Sequence, residues 1–598
     1  MQGTRQLLKK ILFKIATYSP IIEKVLKVLS VVISLAAISA IILEHGTYIE
    51  SNQSNWIRLI VTTAYIFYIL KFFIRWTYSG SKPLKYLKEN ILDIVVIVFF
   101  LLALILSPQI KHLMRAPDEV FVHYRRLFFH IYYAIIFLVE IAKGSAILKK
   151  INLSSPLLMM LSFFVLISIG TCLLMLPKMT THGITFIDAL FTATSASCVT
   201  GLTVVNTATA FTTSGHIVLM LLMQFGGMSI LSFATFFISF LSHSFTGLRY
   251  QYMVKDILST NRLSDSFSFL REIIVVTFAI EGVGAILLYM YWQTTGLFDT
   301  QGETILFAVF HAISAFNNAG FSLWQNNLMD SAIMDSHFPL MIIMILVFVG
   351  GIGYVVIRDF FDPNVIRERK RKRWKKLTDG TQIALITSFV IIAVTAVLFY
   401  VFEYNNTLSE TSGFNRIFAV IFQSVVARTA GFNIVDVNHL AIPTLLVFII
   451  AMFIGASPGS TGGGIKTTTF FVIIKSLFAT IRGKKRIEFN KKTIPFNLVD
   501  KAYSIFAMSL IIIMISTIII AAIEPMIPFK NIVFETTSAF TTCGLSTGIL
   551  DQFSIAGKAV LTFNMYIGRI GTLTFAYALS KRVKESRHEY PETYFMVG

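Results

Sequence analysis

The sequence predicts an all-α integral membrane protein. Four helix–pore-loop–helix repeats surround one pore pseudo-symmetrically, and a four-helix membrane bundle precedes them. Three observations carry this. Hydrophobic residues fill 55% of the 598 positions and charged residues only 14%, against roughly 25% charged in soluble domains. Long apolar stretches, each near the ~20 residues that cross a bilayer core, recur along the chain. Four polar segments, each with one glycine, interrupt that pattern at nearly constant spacing.

The composition also excludes other classes. Three cysteines (Cys172, Cys198, Cys543) do not make a disulfide framework, and the chain is too apolar for disorder. The net charge of +19 would suggest nucleic acid on a soluble protein. Here the basic residues form short runs between apolar stretches, without stacking platforms or RNA-binding signatures, so no nucleic-acid partner is expected. The first 27 residues are basic but lack a cleavage site behind a short apolar core, so the run from Val28 to Leu43 reads as a retained helix.

Candidate spans fall at about 28–44, 57–77, 90–107 and 125–142, then 156–176, 215–241, 271–293, 338–358, 381–402, 441–480, 501–524 and 556–580. Lys and Arg cluster at the N-terminus, at Lys82–Lys88, at Lys149 and Lys150, at Arg367–Lys376, at Arg482–Lys492 and at Lys581–Arg587. An even number of spans separates these clusters, which puts them and both termini on the cytoplasmic side.

Residues 1–150 form the N-terminal bundle. The run around Asn90 and Asp93 resembles voltage-sensor-like domains locally, but Arg125 and Arg126 are not followed by an Arg every third residue, as voltage sensing requires. A non-sensing accessory bundle is expected. The repeats then occupy 151–260, 261–375, 376–495 and 496–598.

Each repeat encloses one polar segment: TSASCVTGLTVV (194–205), HAISAFNNAGFSL (311–323), QSVVARTAGFNIV (423–435) and ETTSAFTTCGLSTG (535–548). The shared glycines are Gly201, Gly320, Gly431 and Gly544, spaced 119, 111 and 113 residues apart. Irregular backbone at membrane depth is tolerated only where it lines an enclosed or watery cavity. Four such segments around one axis place carbonyls in rings, which can replace the hydration shell of a K⁺-sized ion. Glycine reaches the positive φ that such a turn needs. Short helices at about 185–197, 303–316, 413–427 and 530–540 would aim their negative ends at the ion.

The stretch 441–480 is interrupted by Gly455, Ser457, Pro458, Gly459, Ser460, Thr461, Gly462, Gly463 and Gly464, whose small polar side chains suit a wet constriction. It is not a phosphate loop, because Ile465 separates Gly464 from Lys466. Arg569 lies roughly 16 Å inside the last span. That is deep for snorkelling, so it should face the pore or a buried partner and act as a barrier to cations. Arg428 would repel K⁺ if it lined the path and reads as a strut behind the filter, with Asp188 and Glu535 as counter-charges. Asn317 and Asn318 should brace the second turn. Glu281 lies inside a span with no role assigned to it. Cys198 and Cys543 read as inert packing rather than redox switches, since no neighbour activates them.

The motifs VTGL (199–202), NNAGF (317–321), RTAGF (428–432) and TTCGL (541–545), with GASPGSTGGGIKT (455–467) and GRIG (568–571), resemble the Trk/Ktr/HKT superfamily of potassium transporters, specifically the bacterial Trk/Ktr membrane subunit. The resemblance covers about 150–585. It implies a filter at Val199, Thr200 and Gly201; Asn318, Ala319 and Gly320; Thr429, Ala430 and Gly431; and Thr542, Cys543 and Gly544. Glycine at all four positions implies K⁺ as the transported ion. The resemblance further implies that Gly455–Gly464 is the gating loop, that the chain forms a homodimer in the bacterial inner membrane, and that a separate cytoplasmic nucleotide-binding ring regulates it. No organic cofactor is expected in the chain. Cys543 before Gly544 departs from the commonest filter pattern.

Channel-like K⁺ uptake is the expected function, with a K⁺ symporter driven by H⁺ or Na⁺ as the alternative. A membrane-embedded enzyme is not expected. No H-E-x-x-H occurs, and GASPG (455–459), though of the form G-x-S-x-G, lacks the strand a nucleophile elbow needs. The basic loops at 367–376 and 482–492 suit either the regulatory ring or anionic lipid.

Overall fold

A computed structural model describes residues 2–48, 51–79, 154–228, 266–361, 363–371, 377–409, 411, 413–580, 591 and 593. The expected spans at 90–107 and 125–142, the basic residues at 82–88, 149–150, 372–376 and 581–587, and the end of the 215–241 stretch lie outside them. The chain divides into two compact units.

The first unit contains α1 (Gln2–Gly46) and α2 (Ser51–Ser79). Small residues let them approach. Ala37 and Ala40 pack with Ile57, Val61 and Ala64, and the Ser34 hydroxyl meets the Tyr68 phenol.

The second unit is built from a helical theme stated four times. Its long outer helices are α3 (Ser155–Leu174), α6 (Ser266–Thr295), α10 (Asp379–Glu403) and α14 (Phe496–Ile523), each with a segment apolar and long enough to cross a membrane. Among the described residues six helices meet that test, the other two lying within α1 and α2. Exposed side chains such as Phe164, Phe278, Val283, Val394, Val397 and Ile518 present the apolar surface that lipid favours.

Four shorter helices follow them: α4 (Phe186–Ser197), α7 (Gln301–Phe316), α11 (Gly413–Val426) and α15 (Phe529–Thr541). At 12 to 16 residues they reach only about 18–24 Å at 1.5 Å per residue. Local sequence starts two of them. Thr185 caps α4 by accepting from Asp188 N, and Thr300 caps α7 by accepting from Glu303 N, each a hydroxyl followed three residues later by an acid.

The inner helices are α5 (Thr213–Gly227), α8 (His337–Ile352), α12 (Ile442–Phe453) and α16 (Ile555–Ile570). The sequence reads 338–358 and 556–580 as unbroken spans, and the structure corrects both. Gly353 (φ 87) separates α8 from α9 (Tyr354–Phe361), which turns away by 98°. Gly571 (φ 90) separates α16 from a last helix, Thr572–Leu579. The third interruption was legible. Irregular chain joins α12 to Thr467–Ile481.

Packing between the four units closes on itself. Each inner helix packs against the short helix of the next unit: α5 on α7, α8 on α11, α12 on α15, and α16 back on α4. This arrangement brings the four polar segments together.

Candidate functional site

Three of the four short helices end alike. After α4, Val199 takes a left-handed conformation (φ 58), Thr200 N donates to Ser195 O (2.8 Å), and Val199 N donates to Ala196 O (3.2 Å). Asn318 (φ 58) repeats this with Ala319 N to Ser314 O (2.7 Å), and Thr542 (φ 49) with Cys543 N to Ser538 O (3.0 Å). These bonds form the Schellman closure, which satisfies the last helical carbonyls. A left-handed non-glycine residue costs about 1–3 kcal/mol, and the paired bonds hold it there. The third unit differs, because Ala430 N donates to Val426 O (3.0 Å) in helical fashion.

Beyond these closures the four glycines form a closed cycle. A Cβ on Gly201 (φ 89) would stand 2.5 Å from the Ala319 carbonyl oxygen, and one on Gly320 (φ 71) closer still to that of Ala430. One on Gly431 (φ 66) would stand 2.9 Å from Cys543 O, and one on Gly544 (φ 89) would strike Thr200 O. The carbonyl before each glycine therefore lies against the preceding unit's glycine, all the way round. Only hydrogen fits between them.

Side chains behind the cycle hold it. Ser195 Oγ accepts from Gly201 N and Ser538 Oγ from Gly544 N, both at 3.1 Å, while Ser314 Oγ donates to Phe321 O (2.7 Å). Glu535 Oε1 accepts from Ser546 Oγ (2.8 Å), Thr547 N (2.7 Å) and Thr547 Oγ1 (3.0 Å). Gln423 Oε1 accepts from Ile434 N (3.4 Å), and His311 Nε2 meets Ser322 Oγ (3.1 Å). Buried polar groups thus pin the chain just after three of the glycines.

The expected counter-charges lie elsewhere. Arg428 donates to Ser388 Oγ (3.3 Å) and Gly455 O (3.0 Å). Asp188 instead pairs with Lys558 (2.8 Å), and Glu535 holds the Ser546–Thr547 turn. A hydroxyl and a backbone carbonyl take the place of a carboxylate beside the Arg428 guanidinium. Asn317 Nδ2 donates to Glu281 Oε1 (2.8 Å), Gln224 Oε1 (3.3 Å) and Ile313 O (2.9 Å), and Gln224 Nε2 donates to Glu281 Oε2 (3.0 Å). Asn318 turns its amide oxygen to the Thr461 and Thr429 hydroxyls (3.3 and 3.2 Å) and donates to Val347 O and Ala315 O.

Gly455–Gly464 forms a strap bonded to its surroundings through the backbone. Ser457 N donates to Gly351 O (3.0 Å), Thr461 N to Gly350 O (3.3 Å), and Tyr354 N to Gly459 O (3.0 Å). Thr461 Oγ1 reaches Phe316 O (3.3 Å), and Lys466 Nζ curls back to Gly462 O (2.6 Å). Arg569, 1% exposed, donates one arm of its guanidinium to Thr461 O and the other to Gly226 O.

The family described as cation transport protein, TrkH, matches residues 128–589. This chain belongs to that family. The Ktr system potassium uptake protein B of Bacillus subtilis is 36% identical over 76% of this chain and 98% of the relative. The protein of the same name in Vibrio alginolyticus is 36% identical over 74% and 95%. The potassium/sodium uptake protein NtpJ of Enterococcus hirae is 32% identical over 75% and 98%. The crystal structure of the potassium transporter TrkH from Vibrio parahaemolyticus shares the fold, with a TM-score of 0.59, 17% identity, and coverage of 81% of this chain and 97% of that one.

As a TrkH-family member the chain is a transport protein and not an enzyme. Ser457 in GASPG follows a helix rather than a strand, and its Oγ accepts from Thr467 (3.1 Å). Sequence reasoning missed Ser195, Ser314 and Ser538, although a serine six residues before the glycine in three segments was a visible signal. It also missed the Gln224–Glu281–Asn317 cluster. These residues come from three different helices, and no spacing rule connects them.

Proposed function

We propose that this chain carries K⁺ into a bacterial cell through one pore, in a channel-like manner, with the four glycine segments as selectivity filter. The observation that carries this reading is the closed glycine cycle. Backbone carbonyls packed that tightly suit a dehydrated cation and exclude side chains from the path. The short helices end at the cycle, where their negative ends favour a cation. The names of the relatives support potassium as the ion.

In this reading the filter runs through Val199–Gly201, Asn318–Gly320, Thr429–Gly431 and Thr542–Gly544, and K⁺ is the substrate. The strap Gly455–Gly464 is the gate and Arg569 the electrostatic barrier beside it, both buried below the filter. Ser195, Ser538, Arg428 and Glu535 support the filter from behind, and Asp188 anchors the start of the first short helix through Lys558. Residues 1–150 form an accessory bundle ahead of pore repeats at 151–260, 261–375, 376–495 and 496–598. The pore subunit is a homodimer in the inner membrane, with cytoplasmic termini, regulated by a separate nucleotide-binding ring.

Radioactive Rb⁺ uptake into K⁺-loaded proteoliposomes tests the reading. Gradient-driven uptake that resists excess Na⁺ and is lost in Gly201→Asp is the expected result. Equal competition by Na⁺ would overturn K⁺ selectivity. A reversal potential displaced by an imposed H⁺ or Na⁺ gradient would replace the channel with a symporter.

A further inference from the structure

Of the five glycines in the strap, two touch the filter itself. A Cβ on Gly463 would collide with Thr542 Oγ1 and stand 2.7 Å from Thr541 O. A Cβ on Gly462 would stand 2.8 Å from Thr429 Cγ2 and 3.0 Å from Thr429 Cβ. The others press elsewhere: Gly459 meets Val355, Gly455 meets Gly463 and Gly464, and Gly464 meets Gly455 and Met452. Thr429 and Thr542 each stand two residues before a filter glycine, in the third and fourth units.

We propose that Gly462 and Gly463 are specificity-determining residues: they form a floor under Thr429 and Thr542 that sets the positions of the third and fourth filter segments. The proposal rests on the filter reading above and adds ion discrimination to the strap's role.

Three features make these two segments responsive to the floor. The third segment lacks the Schellman closure that holds the other three, and Gly431 has the loosest fit in the cycle, with no neighbour inside 2.9 Å of its Cβ position. Thr542 holds a left-handed conformation unusual for a β-branched residue, and its buried Oγ1 lacks a hydrogen-bond partner. The strap passes beneath it with only a glycine hydrogen between. Moving Thr542 carries with it Cys543, whose carbonyl lies against Gly431.

The same strap is fixed at the residue just before this floor, Thr461, whose hydroxyl reaches Phe316 O and whose carbonyl is held by Arg569. A displacement of the strap therefore relaxes the floor as it opens the path. Ion discrimination then follows the state of the gate instead of being a constant of the filter.

The test compares Rb⁺ and Na⁺ uptake by the full-length protein in proteoliposomes, after monodisperse elution in detergent establishes folding. Gly463→Ala is expected to lower the Rb⁺-to-Na⁺ uptake ratio at least several-fold, and Gly462→Ala, which meets only side-chain carbons of Thr429 and Ala456, to lower it less. Thr542→Ala removes the hydroxyl in the way, so Gly463→Ala with Thr542→Ala should discriminate better than the product of the two single effects. Where Gly463→Ala does not elute as folded protein, Gly462→Ala carries the test alone. A wild-type ratio in folded Gly462→Ala and Gly463→Ala, or strictly multiplicative effects with Thr542→Ala, would overturn the inference while the filter reading stands. An unselective wild type would remove both.

Discussion

Arg569 and Thr461 are joined by a charge-assisted hydrogen bond from the guanidinium to the backbone carbonyl. The second arm of Arg569 takes Gly226 O, so one side chain ties the fourth inner helix to the strap and to the end of the first inner helix. The position carries information. The ends of the inner helices, or in the third unit the chain just beyond it, carry Gly226-Gly227, Gly350-Gly351, Gly455-Ala456 and Gly568-Arg569. Where three units place a hydrogen or a methyl, the fourth places a cation.

Arg569→Ala removes that tie and is expected to raise Rb⁺ uptake. A hydrogen bond to a charged group contributes about 1.5–3 kcal/mol, so losing one shifts a closed–open balance by about tenfold or more. Arg569→Lys keeps the charge but has no fork to hold both carbonyls. It should fall between the two. Uptake equal to wild type in Arg569→Ala would show that the tie does not hold the path closed.

The four filter glycines should not tolerate alanine equally. The crowding predicts that Gly544→Ala and Gly320→Ala abolish Rb⁺ uptake, while Gly431→Ala, whose Cβ has 2.9 Å of room, retains the most. Every position also has positive φ, so each substitution adds backbone strain of about 1–3 kcal/mol. An equal loss at all four would mean that strain, not crowding against the next carbonyl, decides the outcome.

Glu281, 4% exposed, accepts from both Gln224 and Asn317. Glu281→Ala leaves the Gln224 amide buried without its acceptor, at about 1–3 kcal/mol for an unsatisfied group, while Asn317 Nδ2 keeps Gln224 Oε1 and Ile313 O. A lower thermal midpoint in detergent is expected, with Glu281→Gln closer to wild type because it retains one acceptor oxygen. The comparison separates hydrogen bonding from charge. If Glu281→Gln melts as early as Glu281→Ala, the carboxylate charge is what matters.

Asp188 and Lys558 form an ion pair with both side chains under a fifth exposed (16% and 13%). It joins α4 to α16, the contact that closes the ring of units. Asp188→Ala should destabilise the protein, and Asp188→Lys with Lys558→Asp should recover part of the loss. The recovery is measured by a double-mutant cycle on thermal midpoints. Additive effects would mean that the pair contributes nothing as a pair.

The sequence alone determined the membrane class, the outer helices and the four glycine segments. Apolar length and turn chemistry are local properties that survive in any linear reading. Two of the short helices were legible at their starts, where Thr185 with Asp188 and Thr300 with Glu303 stand within one turn. The interruption at Gly455–Gly464 was visible because five glycines and a proline leave no doubt about regular helix. Single glycines gave no such signal, so Gly353 and Gly571 were read through. The break at Gly353 depends on a segment distant in sequence, because Tyr354 N is taken by Gly459 O from the strap.

Only the tertiary structure decided which glycine faces which carbonyl, and that order is the site. Gly544 meets Thr200 across more than half the chain, and Arg569 meets Gly226 over a similar distance. Arg428 showed the same limit, since its charge suggested a carboxylate where the fold supplies a hydroxyl and a carbonyl. Chemistry along a chain states what each group needs. Which neighbour meets that need is settled by packing, because four helical units can bury their polar turns only against one another.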